Sequence, residues 1–225
     1  MEFYIEKDKY SYSDEQLSNQ MLNYGDEADV YRIKGQAVKI YKQFCPKTRL
    51  DERTVEYLKT IDTKRLLLPR KTVYDEFNKF NGYTTKLITE GSKSLIGKLK
   101  MSKMISEMKL LTEDVEVLSE LGITIDDLDY RDVLYGDENG IYYCDPGSFT
   151  IEKYMTPKEI KFYNKEKLHE LLIDEILTPT CNLTKKQKYN LKSMTLSGDY
   201  LSDLFSYEDY KEYESATHFV KRITK

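Results

Sequence analysis

The sequence predicts an α+β fold, with five antiparallel strands and one inserted helix in the first half and mainly helices in the second. Three observations carry this expectation. Runs rich in Val, Ile and Tyr and broken by turn residues fill the chain up to Gly91, the composition shifts from strand to helix there, and a long helical repeat from Ser102 to Leu121 follows.

In order, "QMLNYG", "ADVYRIKG" and "QAVKIYKQF" read as a three-stranded meander, with Lys34-Gly35 as a tight hairpin between the second and third strands. After Pro46, the residues Leu50, Val55, Leu58 and Ile61 recur near the helical spacing and predict one short amphipathic helix. "KTVYDEF" and "NGYTTKLI" read as a further hairpin pair, connected by Asn78 to Gly82. Met104, Met108, Leu111, Val115 and Leu118 then mark the buried stripe of the Ser102–Leu121 helix, which ends at Gly122. A loop and short strand pair over 123–151 precede helices expected at 165–177, 185–194 and 207–223.

A chain of 225 residues with 40% hydrophobic content suits one soluble domain or two small lobes, 1–91 and 92–225. Its 35 basic residues are spread among 39 acids, so no concentrated basic footprint for nucleic acid is present. No apolar run approaches the roughly 20 residues of a membrane helix, and "MEFYIEKDKY" lacks the apolar core of a secretory signal, so the expected compartment is cytoplasmic. Cys45, Cys144 and Cys181 are scattered, which predicts reduced thiols and neither a zinc site nor a disulfide framework. His169 and His218 are distant from one another and read as packed or partly exposed helix residues, and the 20 tyrosines suit strands and half-buried surfaces.

The chemistry concentrates in "TIDDLDYRDVLYGDENGIYYCDPGSF", where Asp127, Asp132 and Asp145 follow one another at spacings of five and thirteen residues. Phosphoryl transfer gives such a trio a reason. The acceptor hydroxyl needs an orienting carboxylate, and magnesium bridging nucleotide phosphates takes hard oxygen ligands.

These three aspartates, with Val133-Leu134 after the second and Asp145-Pro146-Gly147 at the third, resemble the catalytic loop and metal-binding turn of the protein-kinase-like superfamily. The upstream half is similar as well. Gly25, Ala28 and Val30 match a degraded glycine-rich loop, and "AVKIY" resembles the strand that carries the phosphate-contacting lysine, here Lys39. The resemblance spans about Leu17 to Leu177 and implies a bilobal protein-kinase-like fold with a five-stranded N-lobe sheet, one N-lobe helix and a reduced, mainly helical C-lobe. It further implies ATP and Mg2+ as cofactors, Asp127 as catalytic base and Asp132 and Asp145 as magnesium ligands. A helix glutamate would hold Lys39, with Glu56 or, one turn earlier, Glu52 in that role. "LITEGSKSL" would supply the adenine hinge at Leu87, Ile88, Thr89 and Glu90.

Several positions depart from the family pattern. Ile125 and Asp126 stand where a His-Arg pair precedes the base, Asp132 replaces the usual Asn, and Pro146 replaces Phe. Asp129 occupies the place of the loop lysine of serine/threonine kinases, while Arg131 matches the arginine of tyrosine kinases. "SFTIEKYMTPKEIKFYN" is a short connection in place of the peptide-docking segment. The implied activity is ATP-dependent phosphotransfer to a serine or threonine hydroxyl of a protein substrate. The alternatives are a small-molecule alcohol acceptor, as in aminoglycoside and choline kinases, or a nucleotide-binding pseudokinase scaffold.

Overall fold

Short runs rich in β-branched and aromatic residues organise the first part of the chain. In the computed structural model, which describes residues 1–42, 50–89, 91–136, 140–195 and 214–225, this part forms a seven-stranded antiparallel sheet. Its strands are β1 (Glu2–Ile5), β2 (Asp8–Ser11), β3 (Met21–Tyr24), β4 (Ala28–Ile33), β5 (Gln36–Tyr41), β6 (Lys71–Asp75) and β7 (Phe80–Lys86), in the order β2-β1-β6-β7-β5-β4-β3. One face buries Phe3, Ile5, Tyr10, Tyr31, Ile33, Val38, Ile40 and Val73, together with Leu17 of helix α1 (Asp14–Ser18). Full burial of such side chains stabilises by roughly 1.5–3 kcal/mol each.

The expected five strands are therefore seven. The additional hairpin, β1–β2, turns through Glu6-Lys7, and Glu6 adopts a positive φ of 55°. No Gly, Asn or Asp marks that turn in the sequence. Tertiary bonds hold it instead: the Glu6 carboxylate accepts from Lys59 Nζ at 2.7 Å and from the Thr72 N–H at 3.1 Å. The β4–β5 hairpin does turn at Lys34-Gly35, with φ of 45° and 74° as a two-residue type I′ turn requires. Between β6 and β7 the connection is 76–79, so Gly82 lies inside a strand and not in the loop.

Helix α2 (Glu52–Leu58) begins at Asp51, whose carboxylate accepts from the Thr54 N–H at 2.7 Å. It buries Val55 and Leu58 and ends before Ile61. The chain divides into two units. The first comprises Met1–Thr63, Leu67–Thr89 and Cys144–Gly147; the second comprises Lys64–Leu66, Glu90–Tyr143 and Ser148–Lys225.

The second unit is built on α3 (Met101–Glu120), whose buried positions recur every three or four residues. Two of them, Glu107 and Asp114, are acidic and nearly fully buried. Asp114 accepts from three successive backbone N–H groups, those of Lys64, Arg65 and Leu66. Glu107 is bound by the Arg65 guanidinium, by Lys103 Nζ at 2.7 Å and by the Ile141 N–H at 3.1 Å. Burial works against its charge, yet the Arg65 and Lys103 bonds win and hold its carboxyl below the usual carboxylate range.

Around α3 stand β8 (Ile123–Ile125) paired with β11 (Phe149–Ile151), and β9 (Val133–Gly136) paired with β10 (Gly140–Tyr143). Helix α4 (Pro157–Glu170) starts eight residues before the expected 165, because Thr156 and Glu159 form a reciprocal capping box with Pro157 at the first turn. A π-helical segment, Leu171–Leu177, continues it into α5 (Thr178–Cys181). Helices α6 (Lys185–Thr195) and α7 (Ala216–Ile223) follow. Residues 207–213 of the expected last helix, and Cys45, lie outside the described residues. Cys144 and Cys181 form no disulfide, and burial pushes the Cys181 thiol up. Among the described residues no helix is long and apolar enough to cross a membrane.

Glu107→Gln is expected to lower stability by about 3 kcal/mol in urea denaturation at pH 7, since it breaks a buried ion pair. The Glu107 pKa is depressed on folding, so its contribution is present above the unfolded value of about 4.5 and is lost as pH falls through the folded value. Wild type should therefore lose more stability than the variant on acidification below that value. Parallel acid titrations of the two proteins would refute the assignment.

Candidate functional site

Lys39 lies near the centre of β5, with Val30 of β4 opposite it on one side and Tyr83 of β7 on the other. Residues that pair directly across antiparallel strands share a face. Val38 and Ile40, its neighbours in the chain, belong to the apolar core, so Lys39 projects from the other face. Gly82 makes the close strand approach here possible. A Cβ at that position would overlap the Lys39 carbonyl, and its φ of 150° is one that L side chains rarely adopt.

On that face Lys39 Nζ donates to Asp145 Oδ1 at 2.8 Å and lies 5.7 Å from the Tyr83 ring centroid. The two charged residues are 106 positions apart in the chain. Their side chains are 16% and 34% exposed, so the pair is only partly hydrated. Asp145 opens the Asp-Pro-Gly turn, with Pro146 buried. The Gly147 N–H donates back to Asp145 Oδ1 at 3.0 Å, and a Cβ on residue 147 would press on the same oxygen at 2.9 Å. Glycine is what permits this curl. Both hydrogen bonds fall on Oδ1, leaving Oδ2 as a hard oxygen donor of the type magnesium takes.

The expected glutamate partner of Lys39 is corrected by the structure. Glu56 pairs with Lys59 at 2.8 Å, and Glu52 accepts from the Tyr74 hydroxyl at 2.8 Å. In a helix of seven residues whose inward positions are Val55 and Leu58, both glutamates fall on the outer side and bind the nearest donors. The carboxylate on Lys39 is that of Asp145.

Gly25 sits in the β3–β4 turn, its N–H bound to the Ala28 carbonyl at 3.1 Å and its own carbonyl accepting from Lys42 Nζ. Lys42 also pairs with Asp29 at 3.2 Å and lies 3.4 Å from the centre of the Tyr24 ring. Ala28 is buried and Val30 half-buried. The turn carries Asp26 and Glu27, and Asp29 follows on β4 paired with Lys42, so the local field is unfavourable to phosphate and the nearby cation is already engaged. Leu87, Ile88 and Thr89 follow β7, with Ile88 buried and Thr89 exposed; Glu90 lies outside the described residues.

In the second unit, Asp127 occupies the loop after β8. Its backbone is fixed: the Tyr143 and Ser148 hydroxyls both donate to the Asp127 carbonyl at 2.8 Å, and the Asp126 N–H donates to the Ser148 carbonyl at 3.2 Å. Tyr143 and Ser148 are the residues that immediately flank the Cys144–Gly147 segment in the chain. The buried Asn164 amide of α4 anchors the strand before the loop, accepting from the Ile125 N–H at 2.8 Å and donating to the Ile123 carbonyl and Ser119 Oγ. With its backbone held, the Asp127 side chain is exposed on the wall of a cavity of about 290 Å³.

Asp132 is half-buried at the end of a 3₁₀ turn, Tyr130–Asp132, and its N–H donates to the Asp129 carbonyl at 3.1 Å. Arg131 folds back on Asp129 through Nε at 3.1 Å and Nη2 at 2.8 Å, and these bonds hold the Asp129 carboxyl below its usual range. Lys93 Nζ donates to the Tyr130 and Arg131 carbonyls. The anchoring bonds of Asn164, Tyr143 and Ser148 are not legible in the sequence, since a lone amide or hydroxyl carries no spacing signal. Among the described residues no three His, Cys, Asp or Glu side chains gather as a metal site.

A double-mutant cycle on Lys39→Met and Asp145→Asn is expected to give a coupling energy of about 1 kcal/mol, the range of a partly exposed ion pair. Additive losses in thermal or urea denaturation would rule out the contact. Comparison of the chain with models of known protein families and with curated protein sequences gives no match.

Proposed function

We propose that the chain is an ATP-dependent phosphotransferase with a protein-kinase-like arrangement, acting on a serine or threonine hydroxyl of a protein. The observation that carries this is the pairing of Lys39 with Asp145, because a sheet lysine and the aspartate of an Asp-x-Gly turn are the two groups that must meet to hold a nucleotide's phosphates and its magnesium. Support also comes from the order of Asp127, Asp132 and Asp145 and from the strand pairs that bracket them.

In this function Lys39 would neutralise phosphate oxygens and Asp145 would hold magnesium through Oδ2, with Asp132 the further magnesium ligand that the resemblance implies. Bound magnesium supplies charge neutralisation and in-line positioning of the transferred group. Asp127 orients the acceptor hydroxyl and takes its proton. The short connection after Gly147 also suits a small alcohol acceptor in place of a protein.

A second reading, a scaffold without transfer, is favoured by one observation: the Gly25 turn and the start of β4 carry three carboxylates, and the neighbouring Lys42 is engaged with Asp29 and the Gly25 carbonyl.

Thermal shift with Mg-ATP separates the two. At about 100 times the dissociation constant, ATP should stabilise the wild-type fold by roughly 2.7 kcal/mol. Lys39→Met and Asp145→Asn should remove the shift. Asp127→Asn should keep it while phosphate transfer falls by a factor of about 10² or more. A flat wild-type response supports the scaffold, and undiminished transfer by Asp127→Asn removes that residue from the mechanism.

A further inference from the structure

We propose that the outward face of α4 pairs with the same face of a second copy of this chain, antiparallel about a two-fold axis at Phe162. Large apolar side chains stand exposed there. Phe162 is 64% exposed, and Tyr154, two residues before the N-cap of α4, is 95% exposed. Met155, Phe162 and Tyr163 line one open depression of about 750 Å³, so the apolar side chains form a contiguous patch. Patches of that kind mark interaction surfaces.

The charges around Phe162 choose the occupant. Residues four apart share a helix face and lie about 6 Å apart along its axis. Lys158 and Glu166 therefore flank Phe162 on one stripe, the first a turn toward the N-terminus and the second a turn toward the C-terminus, and both line the same depression. Both are exposed, and among the described residues neither side chain makes an ion pair or hydrogen bond. Standing about 12 Å apart on their own helix, they cannot reach each other.

A two-fold axis perpendicular to α4 at Phe162 brings them together. It reverses the second helix, so Lys158 of one copy faces Glu166 of the other, and symmetry supplies the same pair again. The two Phe162 rings meet between these pairs. Glu159, whose carboxylate caps its own helix at Thr156, comes opposite Lys165, again of opposite sign. A parallel arrangement would set Lys158 on Lys158 and Glu166 on Glu166, which like-charge repulsion disfavours. Lys161 and Lys165 are held on the side of α4 toward α3, where both bind Glu116, at 2.9 Å and 3.0 Å. One helix seam covers less area than a standard interface, so the association belongs to the transient class, with a dissociation constant on the order of 10 µM. Such pairing is independent of whether the chain transfers phosphate.

The test is sedimentation equilibrium of the full chain from about 1 to 500 µM, a range that brackets such a constant. Wild type should pass from monomer to dimer and no further, because a two-fold contact closes on itself. Phe162→Ser should raise the dissociation constant by about tenfold or more. Lys158→Glu and Glu166→Lys should each raise it by about tenfold, since each sets like charges together in both symmetry-related pairs. The double variant restores opposite charges and should return to within about threefold of wild type. Wild type that stays monomeric throughout overturns the proposal and leaves the patch to a different partner. So does growth beyond a dimer, a dimer indifferent to Phe162→Ser or to the single charge changes, or a double variant as weak as the single ones. Far-ultraviolet circular dichroism of each variant should match wild type. Should Phe162→Ser alter it, the charge-swap series decides alone.

Discussion

A lysine in the middle of an antiparallel sheet, flanked on both sides by strands, cannot keep its ammonium fully hydrated, and this constraint ties together the two parts of the sequence that carry chemistry. Lys39 is held in place by its neighbours. Val30 and Tyr83 stand beside it, and Gly82 lets the strands close at its backbone. Its charge is met by Asp145, a residue delivered by a turn whose glycine leaves room for the carboxylate to curl back on its own backbone. A partly hydrated pair of this kind contributes little net stability. Its value is geometric: it fixes one ammonium and one carboxylate within hydrogen-bonding distance while leaving Oδ2 of that carboxylate available.

The second unit solves a different electrostatic problem. Glu107 and Asp114 lie on the buried stripe of α3, where an unpaired carboxylate would be prohibitively costly. Three consecutive backbone N–H groups satisfy Asp114, and Arg65, Lys103 and the Ile141 N–H satisfy Glu107. Residues 64–66 are thereby fixed to α3 by bonds that only a charged acceptor can make so densely. Asn164 does for β8 what these acids do for 64–66, and the Asp127 loop inherits its position from that anchoring.

Around these fixed points the charge distribution is selective. The Gly25 turn is acidic and its neighbouring lysine faces inward, whereas the Asp127 cavity combines carboxylates with one ammonium. Each nearby cation has a distinct place: Lys42 orders a turn, Arg131 and Lys93 order the Asp127–Asp132 loop, Lys39 pairs with Asp145 and Lys167 with Glu170.

The sequence by itself determined what depends on local pattern. Runs rich in Val, Ile and Tyr broken by turn residues marked β3 through β7, the three- and four-residue repeat defined α3 to within a residue of Met101–Glu120, Lys34-Gly35 defined a hairpin, and motif spacing singled out Lys39, Asp127, Asp132 and Asp145. Tertiary structure decided what depends on distant partners. The β1–β2 hairpin turns at a glutamate whose positive φ is held by Lys59 and Thr72, so no turn residue marks it. Glu56 and Glu52 fit a lysine-pairing pattern in sequence, yet each binds a nearer donor because only Val55 and Leu58 face inward from α2. Which carboxylate meets a half-buried ammonium depends on distance in space and the cost of desolvation, and a linear pattern encodes neither.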